Sequence, residues 1–230
     1  MFITLTGAED SVAPEKLIEL AESFSPGRVE FGILYSAERA GTGRYPTKAW
    51  ITRLLAEVGR LGSTRLSLHL CGREAILGYF FNSGFVGEVS PLFGRVQLNL
   101  RALDYIPRLV VDGIAKHPVQ TVITQYNPNN ASLTELLSGL KNHAVLFDGS
   151  GGRGVCPEKW EGALSDVPHG YAGGLGPDNL EIELRNIMSV ASPGWWVDME
   201  SKLRDERDQF DLGTARRCAE IFDSLVPRAG

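Results

Sequence analysis

VLFDGSGGRGV, residues Val145 to Val155, is the stretch on which the fold turns. An apolar run ends in the carboxylate of Asp148 and then breaks up into Gly149, Ser150, Gly151, Gly152 and Gly154. A buried strand that stops at Asp148 sets a charge and several bare backbone N–H groups side by side. Those are the makings of a site for a polar or anionic ligand. The same composition also fits a flexible surface turn that happens to hold an aspartate. YAGGLGP, Tyr171 to Pro177, tips the balance because it repeats the design: a short strand opens into glycines just ahead of a helix.

Outward from there, strand-like runs and helix-like runs alternate along the chain. The strand patterns cover Phe2–Thr6, Arg28–Tyr35, Thr64–Cys71, Arg95–Arg101, Val119–Tyr126, His143–Asp148, His169–Ala172 and Trp195–Met199. The helix patterns cover Pro14–Ser23, Thr47–Val58, Arg73–Phe81, Ile106–Lys116, Ser132–Leu140, Glu158–Leu164, Asn179–Val190 and Leu212–Leu225. Pro14 suits a first helical turn, and Ser132 with Glu135 reads as a capping box. Strand–helix alternation implies parallel pairing with each helix as the crossover. Eight such units in 230 residues predict an α/β fold of one domain, a closed (β/α)8 TIM barrel over residues 1–230, whose usual size is about 250 residues. An open doubly wound sheet is the alternative.

Composition narrows the function classes. The chain is 43% hydrophobic and 22% charged, with a net charge of −5. An acidic balance without basic clusters argues against nucleic acid as a partner. No apolar run is long enough for a membrane span, and the first residues run straight into a strand, with no pattern of a signal peptide. Three scattered cysteines, Cys71, Cys156 and Cys218, read as reduced thiols in a cytoplasmic protein. The aromatic group Phe80, Phe81, Phe85 and Phe93 fits either an interface or the core, so monomer and homodimer both stay open.

In a closed barrel, alternate strand residues face the axis and active sites lie at the carboxyl ends of the strands. With apolar residues turned to the helices, the axis receives Thr4, Thr6, Glu30, Ser67, His69, Cys71, Gln97, Asn99, Arg101, Gln125, Asn127, Asp148, Asp198 and Glu200. The deeper of these, Ser67, Gln97 and Glu30, are expected to satisfy one another. Arg101 is a candidate partner for Glu30, Asp198 or Glu200. The uppermost, Thr6, Asn99, Gln125 and Asp148, are expected to line a ligand pocket. Asp148 is the leading proton donor or acceptor. His69 and Cys71 are secondary candidates, since a lone strand histidine or cysteine is usually part of the core. No HxH, HExxH or paired CxxC pattern occurs, so no metal is implied, and GxSxG is absent. Gly173 and Gly174, ahead of a helix, suit a phosphate, which such barrels often bind after strands seven and eight.

LFDGSGGRG followed by GYAGGLGPDN resembles the strand-six and strand-seven motifs of phosphoribosylanthranilate isomerase, a tryptophan-biosynthesis barrel. TLTGAED from Thr4, RYP from Arg44, VQLN from Val96 and WVDMES from Trp196 extend the similarity in order along the chain. The resemblance implies a cofactor-free, acid–base Amadori rearrangement of a phosphorylated aminosugar. It implies Asp148 as general acid, Arg44 as partner of a substrate carboxylate, and Gly173 and Gly174 at the phosphate-binding turn; Gly152 in the strand-six motif is a further candidate for substrate binding. Three departures stand out. The cysteine base expected at the end of strand one is Thr6. The Ser-Gly phosphate turn after strand eight reads Glu200, Ser201, Lys202. Asn99 stands where a histidine is usual. A displaced base, with Cys71 or His69 in that role, keeps the isomerase reading. A lyase or epimerase using Asp198 and Glu200, or a non-catalytic sugar-phosphate-binding barrel, are the alternatives.

Overall fold

The computed structural model describes residues 1–61, 65–100, 104–126, 130–149, 153–164 and 167–227. Eight strands, β1 (Phe2–Thr6), β2 (Val29–Tyr35), β3 (Arg65–Cys71), β4 (Arg95–Asn99), β5 (Thr121–Tyr126), β6 (His143–Phe147), β7 (His169–Ala172) and β8 (Trp196–Met199), pair in sequence order and close into a barrel. Every pairing is parallel, including β1 with β8, where Phe2 lies beside Trp196 and Thr4 beside Asp198. All eight carboxyl ends therefore share one rim.

The helices are α1 (Pro14–Glu22), α2 (Lys48–Leu61), α3 (Arg73–Phe80), α4 (Gly84–Val89), α5 (Pro107–Ala115), α6 (Ala131–Leu137), α7 (Leu180–Met188) and α8 (Leu212–Leu225). They cover the outer faces of the strands, where Val29, Phe31, Ile33, Val96, Leu98, Val122 and Val145 enter the main apolar cluster. Pro14 opens α1, and α8 is capped by Asp211, whose carboxylate accepts from the N–H groups of Gly213 and Thr214. Phe80 and Phe93 are core residues, while Phe81 stands exposed.

Three local expectations fail. The N-cap of α6 is Asn130, and Ser132 lies inside the first turn without capping it. Glu158–Leu164 is not helical. Pro157 precedes that short segment and Gly162 interrupts it, and its bonds go elsewhere: Trp160 Nε1 donates to Glu183 and Ala163 N–H to Val190 O. It is tied to α7 as a loop. The third crossover conversely holds two helices, α3 and α4, where one was expected.

The amino-terminal end of the interior is plugged by Phe2, Ile123, Ala144, Leu146 and Trp196. Phe2 and Trp196 stack at 5.9 Å, and the Arg95 guanidinium lies 4.0 Å over the Trp196 ring. Gly170 permits this, since a Cβ there would sit 2.1 Å from the indole. Glu30 takes its partners from Arg95 (2.9 Å) and Thr4 (3.0 Å). Arg101, expected as a partner, lies outside the described residues. Ser67 Oγ, His69 Nε2, Gln97 Oε1 and Arg95 Nη2 are buried without a partner among the described residues. The deep polar layer is thus not self-satisfied as expected.

His143, buried at the start of β6, shares a 2.8 Å hydrogen bond with Thr124, and burial pushes its pKa down to about 4. The unfolded chain, with a pKa of about 6.5, binds a proton that the folded state refuses. Stability is expected to fall as pH drops from about 6.5 towards 4, by roughly 3 kcal/mol from this residue. Urea titrations at pH 7 and 4.5 check this. The stability difference between wild type and His143→Gln should shift by about that amount between the two pH values, and a difference that does not change with pH would contradict it.

Candidate active site

Asp148 follows β6 at the carboxyl rim and is 4% exposed. Its N–H extends the ladder to Tyr126 O (3.2 Å), and Gln125 Nε2 approaches its carboxylate at 3.4 Å. Gln125 comes from the neighbouring β5, so the two expected rim residues do meet. Gly152, with Ser150 and Gly151, lies outside the described residues, as does Asn127.

The loops after β6, β7 and β8 converge with one another on the same rim. Gly173 and Gly174 have φ of +128° and +61°. A Cβ on Gly173 would lie 2.8 Å from Val155 O, and one on Gly174 2.6 Å from Cys156 N. Only glycine allows both the left-handed backbone and this approach of two main chains. Asn179 binds Gly176 N–H and Gly174 O, which holds the turn. On the other side, Ser201 Oγ lies 3.2 Å from the Cβ position of Gly154, and Lys202 packs over Gly176. Ser201–Leu203 is one 3-10 turn, whose opening N–H groups have no intrahelical acceptor. Glycine turns, a helical start and one ammonium therefore gather in one place.

Across the mouth, Arg39, Thr42, Gly43, Arg44, Tyr45, Glu200 and Asp208 line an open cleft of about 360 Å³. Arg44 is paired with Glu200 (2.6 Å) and Asp208 (3.3 Å). Arg39 lies over the Tyr45 ring and donates to its hydroxyl. Cys71 accepts from Asn99 Nδ2 at 3.1 Å, and Asn99 accepts from Gln97. Burial pushes the Cys71 thiol up despite hydrogen bonds from Asn99 and Tyr45. It stays a thiol at neutral pH and is a poor proton acceptor.

Thr6 and His69 meet Asp198. The Thr6 hydroxyl donates to Asp198 Oδ1 at 2.7 Å, and His69 Nε2 stands 3.9 Å from Oδ2. Burial, then the nearby Glu200 and Glu30, push the Asp198 pKa up to about 8, against the opposing hydrogen bond from Thr6. Burial and the charge of Arg95 push His69 down to about 3. At neutral pH both are uncharged, so their approach is not an ion pair.

Three contributors escaped the sequence reading: Arg95, Tyr45 and Gly32. Arg95 shares the parity of Gln97 and was legible as inward-facing. Gly32 in mid-strand is a recognised sign of close approach: its Cβ would lie 2.1 Å from Thr6 Oγ1 and 2.8 Å from His69 Cε1. Gly32→Ala is expected to cost about 1–3 kcal/mol through overpacking. At roughly 2–4 °C per kcal/mol for this size, thermal unfolding should register it. An unchanged melting temperature would contradict the close packing.

Among the described residues, no group of three His, Cys, Asp or Glu side chains is placed to hold a metal, and no helix is long and apolar enough to cross a membrane. No protein-family model and no curated protein sequence matches the chain. Solved structures do. Phosphoribosyl anthranilate isomerase from Thermus thermophilus superposes with a TM-score of 0.64 at 18% identity, covering 98% of this chain and 100% of that one. A phosphoribosyl anthranilate isomerase in complex with reduced 1-(o-carboxyphenylamino)-1-deoxyribulose 5-phosphate gives 0.64 at 16%, with coverage of 98% and 100%. A phospho-2-dehydro-3-deoxyheptonate aldolase from Thermotoga maritima gives 0.60 at 12%, over 97% of this chain and 69% of that one. At these identities the likeness establishes a (β/α)8 barrel like that of the isomerases. The aldolase carries different chemistry on a similar barrel, so function has to be argued from the site.

Proposed function

We propose that the protein is an isomerase of the phosphoribosylanthranilate isomerase type. It would convert a phosphorylated aminoaldose to the aminoketose without a cofactor, an intramolecular oxidoreductase in class. The observation that carries this is the shared rim: Asp148, the Gly173–Gly174 turn and the Ser201–Leu203 turn lie at the carboxyl ends of adjacent parallel strands. In this reading the glycine turns and Lys202 hold the phosphate, and Asp148, oriented by Gln125, protonates the ring oxygen to open the furanose. The isomeric shift then needs a proton acceptor across the mouth. Arg44, Asn99 and the cleft receive the aryl carboxylate end. The reading places the protein in cytoplasmic tryptophan biosynthesis, as a monomer or homodimer without a nucleic-acid or membrane partner.

A second reading rests on one observation. Arg44 is already neutralised by Glu200, which favours a phosphorylated substrate lacking a carboxylate, handled by a lyase or epimerase. Turnover of phosphoribosylanthranilate, followed by loss of anthranilate fluorescence, separates the two. The first reading expects saturable turnover by the purified protein; inactivity on this substrate beside activity on another sugar phosphate would favour the second.

A further inference from the structure

The barrel interior is divided into a dry half and a wet half. Below the rim residues Gln125 and Asp148, Ile123, Ala144, Leu146, Gly170 and Ala172 face the axis from β5, β6 and β7, whereas beside the Phe2–Trp196 plug Thr4, Thr6, Glu30, Ser67, His69, Arg95, Gln97 and Asp198 face it from the other strands. At the top of the wet half, Asp198 is 8% exposed, above Thr4 at 1% and Ser67 at 0%. Its Oδ1 is fixed by the Thr6 hydroxyl, which leaves Oδ2 as the working oxygen. Facing Oδ2 at 3.9 Å is His69 Nε2, a buried ring nitrogen without a partner among the described residues. Two atoms at that separation are too far apart to bond each other. Both can reach one intervening oxygen at a normal length of about 2.8 Å. The absent side chain of Gly32 makes room for this meeting, since any Cβ would strike both Thr6 and His69.

We propose that Asp198 is the proton acceptor of this site, with His69 holding a substrate hydroxyl against it and Thr6 fixing its orientation. The inference rests on the isomerase reading and supplies the base that reading leaves open. The ionised carboxylate takes the proton from the carbon that bears the hydroxyl. The C–H electron pair becomes a C=C bond to the neighbouring carbon, as the iminium nitrogen formed on ring opening becomes neutral. The protonated carboxyl then returns a proton to that neighbouring carbon as the enol collapses to the ketone, and the proton released from the enol hydroxyl passes through solvent to restore the Asp148 carboxyl spent on ring opening. Hydrogen moves from one carbon to the next, and no oxidant is consumed. Asp198 suits the work because burial, Glu200 and Glu30 raise its proton affinity, while Thr6 and Arg95 oppose them. A base with a pKa near the working pH combines strength with availability. His69 is an uncharged hydrogen-bonding partner, not a competing acid.

The test is the pH profile of phosphoribosylanthranilate turnover by the full chain and by variants checked for folding by thermal unfolding. For the wild type, kcat should rise with pH through about 8 and level off above it. Asp198→Asn should lose at least about a hundredfold in kcat, with KM little changed and the pH limb gone. Thr6→Val, which removes a hydrogen bond to the ionised form, should move the limb upward. His69→Gln, still able to hold an oxygen, should keep more activity than His69→Phe. An Asp198→Asn variant with near wild-type kcat would overturn the assignment and leave the isomerase reading standing, as would a limb unmoved in Thr6→Val. A wild type inactive on this substrate would overturn both.

Discussion

Asp148→Asn is expected to lower kcat for phosphoribosylanthranilate by about 10²- to 10⁴-fold, the usual worth of a positioned proton donor. The amide keeps the size of the carboxyl, and Gln125 can still approach its oxygen at the 3.4 Å now seen. The ladder bond from the backbone to Tyr126 O is untouched. Folding and KM should therefore change little while the chemical step fails. Steady-state fluorescence kinetics beside a thermal melt measure both sides. A variant within a fewfold of wild type would remove Asp148 from the mechanism, and with it the main functional reason for the strand-six motif.

Asp198→Asn should have the largest effect on stability, in the opposite direction from most core substitutions. The folded-state pKa is about 8, against a reference value of 3.8. Between those values the folded protein holds a proton that the unfolded chain has released. Stability therefore falls as pH rises from about 4 to 8, and the full penalty persists above 8. An asparagine cannot ionise and escapes that penalty. The gain at pH 9 is expected to be several kcal/mol, on the order of 10 °C in melting temperature for a chain of this size. At pH 5 little of it should remain. Melting curves of both proteins at the two pH values decide it, and a difference that does not grow with pH would contradict the raised proton affinity. A residue that costs stability where it is ionised is a familiar sign of function kept at the fold's expense.

The barrel was legible because its signals are local and periodic. In β2, for example, Val29, Phe31 and Ile33 alternate with Glu30 and Gly32, and the two sets face opposite sides as read. The rim position of Asp148 and of the Gly173–Gly174 turn followed from parallel pairing alone. Meetings across the barrel axis were not legible. Thr6 and Asp198 are 192 positions apart, and their hydrogen bond depends on how β8 registers against β1. The same holds for Arg44 and Glu200, which were separate candidates and prove to be one ion pair. The missing helix after β6 was misread for a different reason. Its residues have passable helix propensity, and tertiary bonds from Trp160 and Ala163 to the α7 region override it. Thr6, read from the resemblance as a lost base, stands beside a carboxyl on the next strand, which the neighbourhood in sequence could not reveal.

The most direct test of the central claim is a crystal structure with reduced 1-(o-carboxyphenylamino)-1-deoxyribulose 5-phosphate, the compound bound in one of the similar isomerase structures. The account predicts its phosphate between Gly173–Gly176 and Ser201–Lys202, its sugar chain between Asp148 and Asp198, and its carboxylate drawing Arg44 away from Glu200. Density for the compound elsewhere, or an unoccupied rim at saturating concentration, would contradict it.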